Sequence, residues 1–184
     1  MDRRVARTKR SIYQAFFSLL QKKAMDDITV TELAALADID RKTFYTHYQT
    51  VQDVFTEFKQ GIYDEVIRVL GESDHGEEFD FVHFYDELNA IMVDNLAFFE
   101  KLSRDTTFMF LKNDFKNVLK QALQDYYKDW PNWTSEYQAS MYNEFIAAGA
   151  ISMWTDWLHH KQVPMEEFRD TAIEVLREAW KMGT

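Results

Sequence analysis

The fold is decided by the stretch ITVTELAALADIDRKTFYTHY, residues 28–48. Its first part, at about 30–37, begins with TVTE, which has the sequence of a capping box at a helix N-terminus. A second helix is expected over 41–48, with Asp40 placed to cap it. Because the turn between them is so short, the two helices must cross steeply. The stretch therefore predicts a helix-turn-helix.

The second helix of this pair has a wholly polar outer face. At about 100° per residue, with Phe44 pointing inward, Tyr48 lies on the same side, whereas Lys42, Tyr45 and Thr46 lie opposite. Such side chains bind phosphates and base edges, and a helix of roughly 10 Å suits a major groove about 12 Å wide. The face therefore predicts contact with DNA. The alternative is a solvated helix that only caps a bundle.

Helices are also expected on both sides of the pair. An amphipathic helix is predicted over about 8–23, and a connecting helix from Thr50 to about Leu70. The segment before the first of these is an arm that either follows a DNA backbone or minor groove, or is a solvated, disordered terminus. Its basic residues are Arg3, Arg4, Arg7, Lys9 and Arg10.

The composition favours helices and excludes several classes of protein. The 184 residues include 5 glycines, 2 prolines and no cysteine, which argues against an all-β fold, a Gly-rich doubly wound sheet, a disulfide scaffold and a thiolate metal site. No apolar run is long enough to span a membrane and no signal peptide is evident, so the expected location is cytoplasmic. The net charge is −10, with a basic N-terminal region and an acidic remainder.

The expected fold class is all-α, with an N-terminal three-helix helix-turn-helix head, residues 1–49, joined to a larger helical-bundle body, residues 50–184, that dimerises. An acidic, glycine-punctuated loop is expected at 71–80. The further helices of the body are predicted at about 81–103, 106–129, 135–161 and 165–182.

Dimerisation is inferred from the segment FIAAGAISMW, residues 145–154, which is apolar at every position except Ser152. A helix that is apolar all round must be covered all round, and in a chain of this size a second subunit would cover one flank. The alternative is a central helix inside a monomer. The expected interface residues are Phe145, Gly149, Met153, Trp154, Trp157, Val175 and Ala179.

Aromatic residues are concentrated in the body, where they either line a cavity for a small apolar or aromatic ligand or form ordinary core. The candidate ligand-binding residues are Phe98, Phe99, Phe108, Phe115, Tyr126, Tyr127, Trp130 and Trp133. No catalytic constellation or cofactor motif is evident, so the protein is expected not to be an enzyme and to need no cofactor. His83 and Glu87 are four residues apart, but a surface pair explains this spacing better than a metal site.

The motifs ITVTELA, residues 28–34, and DRKTFYTHY, residues 40–48, resemble the DNA-binding domain of TetR/AcrR-type transcriptional regulators. The resemblance covers about residues 8–58. It implies a homodimer that binds a palindromic DNA operator, most often as a repressor released by a small ligand. By position, it also implies DNA contacts for Thr31, Arg41, Lys42, Thr43, Tyr45, Thr46 and His47.

Two positions depart from the family pattern. Asp38 stands in the turn where the family usually has glycine, although aspartate tolerates a left-handed backbone. Val51 stands where the family commonly has a lysine, which removes one expected phosphate contact. Thr50 remains a candidate cap, and the amides of that helix end are expected to be available for a phosphate.

Two functions from other classes compete with a ligand-responsive repressor. One keeps the fold but acts as an activator or coactivator through a protein partner. The other is an all-helical enzyme, which would require a convergent acid–base or metal pair that the sequence does not offer.

Overall fold

The computed structural model describes residues 3–76, 79–93, 109–128, 134–160 and 162–181. Within these ranges the regular structure is helical, and the β-type pairing is confined to an isolated bridge between Asp74 and Phe79. The expected all-α class is confirmed. The contacts divide the chain into a head unit, Met1–Gly61, and a body unit, Ile62–Thr184.

The head unit contains three helices and the start of a fourth. A 3₁₀ turn at Met25–Asp27 connects the first two helices. The helices are α1, Arg3–Leu20; α2, Val30–Leu36; α3, Arg41–Tyr45; and α4, Val51–Ser73, which continues into the body unit. The expected division between residues 49 and 50 lies before α4, whereas the contacts divide the chain inside it. The reason is that Val54 and Phe55 belong to the buried core of the head.

The basic arm expected before the first helix is instead part of it, because α1 begins at Arg3. Arginine and alanine are good helix formers, and the arm contains no glycine or proline. The Thr8 hydroxyl also donates to the Arg4 carbonyl at 3.0 Å within this helix. The description of this segment as a flexible or disordered terminus is therefore wrong for residues 3–10.

The turn between α2 and α3 is a Schellman motif. The Asp38 amide donates to the Ala35 carbonyl at 3.3 Å, and the Ile39 amide donates to the Ala34 carbonyl at 3.0 Å. Asp38 has φ 54°, the left-handed conformation that glycine usually supplies. The capping box of Thr29 and Glu32 and the Asp40 cap of α3 are both present as predicted. Local side chains thus determine where both helices begin.

A polar cluster beside the apolar core joins α1 to α4 in the head. The Lys9 ammonium lies 2.6 Å from a Glu57 carboxylate oxygen and 5.6 Å from the centre of the Tyr48 ring. Burial by itself would raise the pKa of Glu57, but Lys9 and the Tyr48 and Tyr13 hydroxyls lower it overall. Lys9 is therefore held inside the head and is not available as part of a DNA-binding arm.

In the described residues, the body unit contains the later turns of α4 and four further helices. The Asp80 side chain caps the first of these by accepting from the His83 amide at 2.9 Å. The helices are α5, Phe81–Val93; α6, Met109–Tyr126; α7, Glu136–His160; and α8, Met165–Lys181. The expected loop at 71–80 is shorter than predicted, because α4 continues to Ser73.

In the body, α7 packs against α6 and α8, and α8 also packs against α5. A bidentate ion pair joins α8 to α5, with Arg169 Nε and Nη2 each 2.6 Å from an Asp86 carboxylate oxygen. In the described ranges, no helix combines the length and apolar character needed to cross a membrane.

Replacing Asp38 by glycine should raise the free energy of unfolding by about 0.5–1 kcal/mol, because glycine adopts positive φ without a Cβ penalty. Asp26→Gly is the matched control, since Asp26 lies in the 3₁₀ turn and not at a positive φ. The control should destabilise. Urea unfolding followed by circular dichroism measures the stability of both variants. An Asp38→Gly protein less stable than the wild type would contradict the left-handed conformation assigned to residue 38.

Replacing Glu57 by glutamine should lower stability at neutral pH by about 1 kcal/mol or less, because the carboxylate is partly exposed. A carboxylate whose folded pKa is lowered stabilises the fold above its unfolded pKa of about 4.5. The difference from wild type should therefore shrink as the pH falls from about 5 through the lowered folded pKa. Exposed Glu174→Gln is the control, and equal pH dependence in both variants would contradict the role of Glu57.

Candidate nucleic-acid interface and body cavity

The outer face of α3 lies in solvent, in agreement with the predicted orientation. Arg41, Lys42 and Thr46 are exposed, and Tyr45 retains 49% of its accessible surface. On the opposite side the Phe44 ring is fully buried. The helix thus presents basic, hydroxyl and aromatic side chains on one surface and is anchored by an aromatic ring on the other.

The helix is shorter than predicted, because α3 ends at Tyr45 and not at Tyr48. The Thr46 amide is shared between the Lys42 and Thr43 carbonyls, at 3.1 and 3.2 Å, which tightens and ends the helix. The chain then returns Tyr48 to the core at 4% exposure. His47, for which the resemblance implies a DNA contact, is half-buried.

The threonine hydroxyls of this face already donate within the helix. Thr46 Oγ1 donates to the Thr43 carbonyl at 2.6 Å, and Thr43 Oγ1 donates to an Asp40 carboxylate oxygen at 3.1 Å. Each hydroxyl oxygen can still accept a hydrogen bond, and each methyl group can contact a thymine methyl. Thr31, the predicted contact on α2, is exposed.

Arg41 and Tyr45 are held together on the exposed face. The Arg41 guanidinium carbon lies 5.9 Å from the centre of the Tyr45 ring. A cation over an aromatic face at this distance contributes about 0.5–1 kcal/mol at an exposed site. The contact limits the motion of both side chains and leaves the guanidinium N–H groups available for an anion or a guanine edge.

The amides at the start of α4 are already hydrogen-bonded, so the prediction that they are available for a phosphate is wrong. One Asp53 carboxylate oxygen accepts from the Gln49 and Thr50 amides, each at 2.8 Å. These bonds, led by that of Thr50, lower the pKa of Asp53, so the carboxylate is charged at neutral pH. A phosphate at these two amides would have to displace a resident anion. Thr50 is exposed, and its hydroxyl oxygen accepts from the Asp53 amide at 3.2 Å.

The basic residues at the start of α1 are fixed on a helix. Arg3 and Arg4, the predicted contacts of the arm, are both exposed, as are Arg7 and Arg10. The first turn of α1 contains no acidic residue. Cations at a helix N-terminus are disfavoured by the macrodipole, so this charge does not serve the stability of α1.

The body unit contains an apolar cavity of about 90 Å³ that is partly open. Its lining comes from α4, α5, α6, α7 and α8 and includes Val66, Phe84, Phe115, Trp154 and Phe168. Within the described part of the chain, the lining contains no charged side chain. The sequence patterns predicted no ligand-binding residue on α5. In the structure, five residues of this helix border the cavity: Phe84, Tyr85, Leu88, Asn89 and Met92.

Among the predicted ligand-binding aromatic residues that the structure describes, some border the cavity and others do not. Phe115 lines the cavity, whereas Tyr126 and Tyr127 do not. The Tyr127 ring packs 5.0 Å from the Trp180 ring, and the Tyr126 hydroxyl lies 3.4 Å from an Asp74 carboxylate oxygen. The other five candidates, Phe98, Phe99, Phe108, Trp130 and Trp133, lie outside the described residues.

The predicted interface residues fall into two groups. Phe145 and Val175 are exposed at 58% and 48%, and a Cβ built on Gly149 would meet no side chain of the described residues within 4 Å. Trp154 and Ala179 are buried in the body itself at 7% and 8% exposure, so they offer little surface to another subunit. Met153 and Trp157 are half-buried.

Neither metal nor catalytic chemistry is suggested by the described residues. No group of three or more histidine, aspartate or glutamate side chains in them could hold a metal ion. His83 lies 3.6 Å from a Glu72 oxygen, and Glu87 binds Arg68 at 2.9 Å. The two residues of the candidate pair therefore belong to an ion-pair network around Arg68.

Comparison with known proteins relates the fold of this chain to that of transcriptional regulators. No family model matches the sequence. The chain is 31% identical over 80 residues to the uncharacterized HTH-type transcriptional regulator YxbF of Bacillus subtilis (strain 168), a match that covers 43% of this chain and 21% of that protein. The chain thus spans about a fifth of the length of this curated relative.

Solved structures match almost the whole chain. The dihydroxyacetone kinase operon activator DhaS has a TM-score of 0.56 at 20% identity, covering 96% of this chain and 97% of that one. A TetR transcriptional regulator from Streptococcus agalactiae 2603V has a TM-score of 0.58 at 22% identity, with 95% and 96% covered. A TetR-family regulator from Streptomyces coelicolor has a TM-score of 0.58 at 12% identity, with 96% and 81% covered. The resemblance inferred from residues 28–48 is confirmed at the level of the fold: the chain has the all-helical fold of TetR-family transcriptional regulators.

Proposed function

We propose that this protein is a DNA-binding transcriptional regulator that reads the major groove of an operator with α3. The observation that carries the proposal is the exposed polar face of α3 on a fully buried Phe44 anchor. A five-residue helix has no stability of its own, so its position depends on this anchor and on the Asp40 cap. Five solved regulators with the same fold support the proposal.

We assign different roles to the side chains of this face. Arg41 and Lys42 have the charge and reach for guanine edges or phosphates. Thr43 and Thr46 offer acceptor oxygens and methyl groups, since their hydroxyl protons are already donated within α3. Tyr45, Thr31, His47 and Thr50 complete the interface, with Arg3 and Arg4 contacting the backbone from the start of α1. The Asp53 carboxylate at the start of α4 makes a backbone phosphate there less favourable than the family resemblance implies.

A homodimer is the second part of the proposal. On α7 the side chains of Tyr137, Met141 and Phe145 follow at intervals of four residues and are 75%, 52% and 58% exposed. This apolar row continues towards Gly149, where a Cβ would meet no other atom of the described residues within 4 Å outside its own stretch of helix. Exposed Val175 on α8 would extend the surface. A second copy would cover the row and place two recognition helices on an inverted repeat, about 34–36 Å apart.

The direction of regulation is a separate matter from DNA binding. A repressor needs only to occupy its operator, and the resemblance favours this with release by a small ligand. The solved relative DhaS is named an operon activator, which favours an alternative in which the same DNA-bound dimer acts through a protein partner. Transcription in vitro from a template carrying the selected operator, with and without this protein, distinguishes a fall from a rise in transcript.

Selection of bound duplexes from a random pool should recover an inverted repeat, because a two-fold symmetric dimer presents two copies of α3. On that operator, Lys42→Ala and Thr46→Ala should each weaken binding by about 1–3 kcal/mol if they contact bases. Lys112→Ala, which removes an exposed lysine of α6 in the body, is the matched control and should bind normally. Filter binding across a salt series measures all three. Unchanged affinity in both α3 variants would refute the assigned face.

Replacing Phe145 by glutamate should convert the dimer to a monomer, because a buried unpaired carboxylate would oppose association. The variant should still bind a half-site weakly but lose the gain from the inverted repeat. Val82→Glu is the matched control, since Val82 is an exposed apolar residue of α5 outside the row. Sedimentation equilibrium gives the mass of each protein. A monomeric wild type, or a Phe145→Glu dimer of unchanged affinity, would contradict the interface.

A further inference from the structure

Two polar atoms without hydrogen-bond partners border the apolar cavity of the body. They are Asn89 Oδ1 and the Tyr85 hydroxyl oxygen, both buried. The Trp154 indole lies beside Tyr85, but an indole N–H can only donate, and the charged neighbours Arg169 and Asp86 bind each other. The Tyr85 proton and the Asn89 carbonyl oxygen therefore have no partners in the described part of the chain.

The two groups need opposite kinds of hydrogen-bond partner and lie on the same face of α5. Tyr85 and Asn89 are four residues apart on α5 and so lie on one face of the helix. Burial raises the pKa of Tyr85, so its hydroxyl keeps the proton and can donate. Asn89 Oδ1 can only accept. A hydroxyl group placed between them would satisfy both, by accepting from Tyr85 and donating to Asn89.

The rest of the cavity lining restricts the charge and size of the molecule that carries this hydroxyl group. Because no charged side chain borders the cavity in the described residues, an ionised ligand would lose its hydration without compensation. The volume of about 90 Å³ is below the roughly 150 Å³ of an apolar cavity that holds benzene. Met92 and Met153 are adaptable side chains in the lining, and the cavity is partly open, so a six-membered ring would require these side chains to move aside.

We propose that this cavity binds a small neutral molecule with an apolar body and one hydroxyl group, which pairs with Tyr85 and Asn89. The inference rests on the proposed function in one respect, namely that such a molecule is the effector of a DNA-binding regulator. The cavity borders α4 at Ile62 and Val66, and the first turns of the same helix contribute to the core of the head. A bound molecule would therefore contact the same helix whose first turns belong to the head.

Phenol is the test probe, and benzene, which lacks the hydroxyl, and benzoate, which is ionised, are its comparisons. Calorimetric titration of the full chain without DNA should show phenol binding at least tenfold more tightly than either comparison. Asn89→Leu and Tyr85→Phe should each weaken phenol binding about fivefold or more and leave benzene binding within twofold. Tyr63→Phe is the matched control, because the Tyr63 hydroxyl donates to Asp125 at 2.6 Å on the exposed surface of the body.

Asn89→Leu should also raise the thermal stability of the ligand-free protein, since it removes a buried polar atom without a partner. Three results would overturn the site: equal affinity for phenol and benzene, unchanged phenol binding in both cavity variants, or no binding of phenol. The last result would mean that water alone occupies the cavity. Operator affinity is measured on the same preparations with and without phenol. Phenol binding that leaves operator affinity unchanged overturns the effector role alone, whereas failure to bind any duplex overturns the regulator and leaves the site intact.

Discussion

Burial of the Phe44 ring beneath α3 is the interaction on which the candidate interface depends. The helix has five residues, too few for stability in isolation, and so its axis and rotation are set by contacts with the rest of the head. The fully buried ring fixes the rotation, the Asp40 cap fixes the first turn, and the left-handed Asp38 fixes the angle with α2. With these three fixed, Lys42 and Thr46 must point outward, whatever they bind.

Local patterns predicted the head well because its turns are determined by neighbouring residues. The capping box, the Asp40 cap and the left-handed Asp38 each depend on side chains within four positions of the backbone groups they satisfy. The start of α1 was predicted wrongly because a dense run of arginines was interpreted through its charge, whereas helix formation depends on propensity. The prediction of free amides at the start of α4 was wrong because the residues at the helix start do not show that the Asp53 side chain, three or four residues further on, accepts from them.

The body shows what periodicity cannot determine. The pattern locates most of the helices, but it does not say which aromatic rings meet each other and which border a cavity, because that depends on the packing of α5 through α8. Phe115 borders the cavity, whereas Tyr127 packs on Trp180. Asn89 gave no signal at all, since one polar residue on an apolar helix is usually a surface residue. Similarly, α7 is apolar around most of its circumference, so only the structure separates buried Trp154 from exposed Phe145.

The charge distribution of the head favours binding of a polyanion more than its count of acidic and basic residues suggests. Several of its carboxylates face backbone amides or a lysine: Glu32 binds Lys23 at 2.7 Å and caps α2, Asp40 caps α3, and Asp53 caps α4. Amide dipoles and paired ammonium groups compensate much of that negative charge over short distances. Arg41 and Lys42, by contrast, project from the outer face of α3 into solvent. A count of charges therefore underestimates the positive potential at this face, and the acidic charge of the body disfavours binding of a polyanion to that unit.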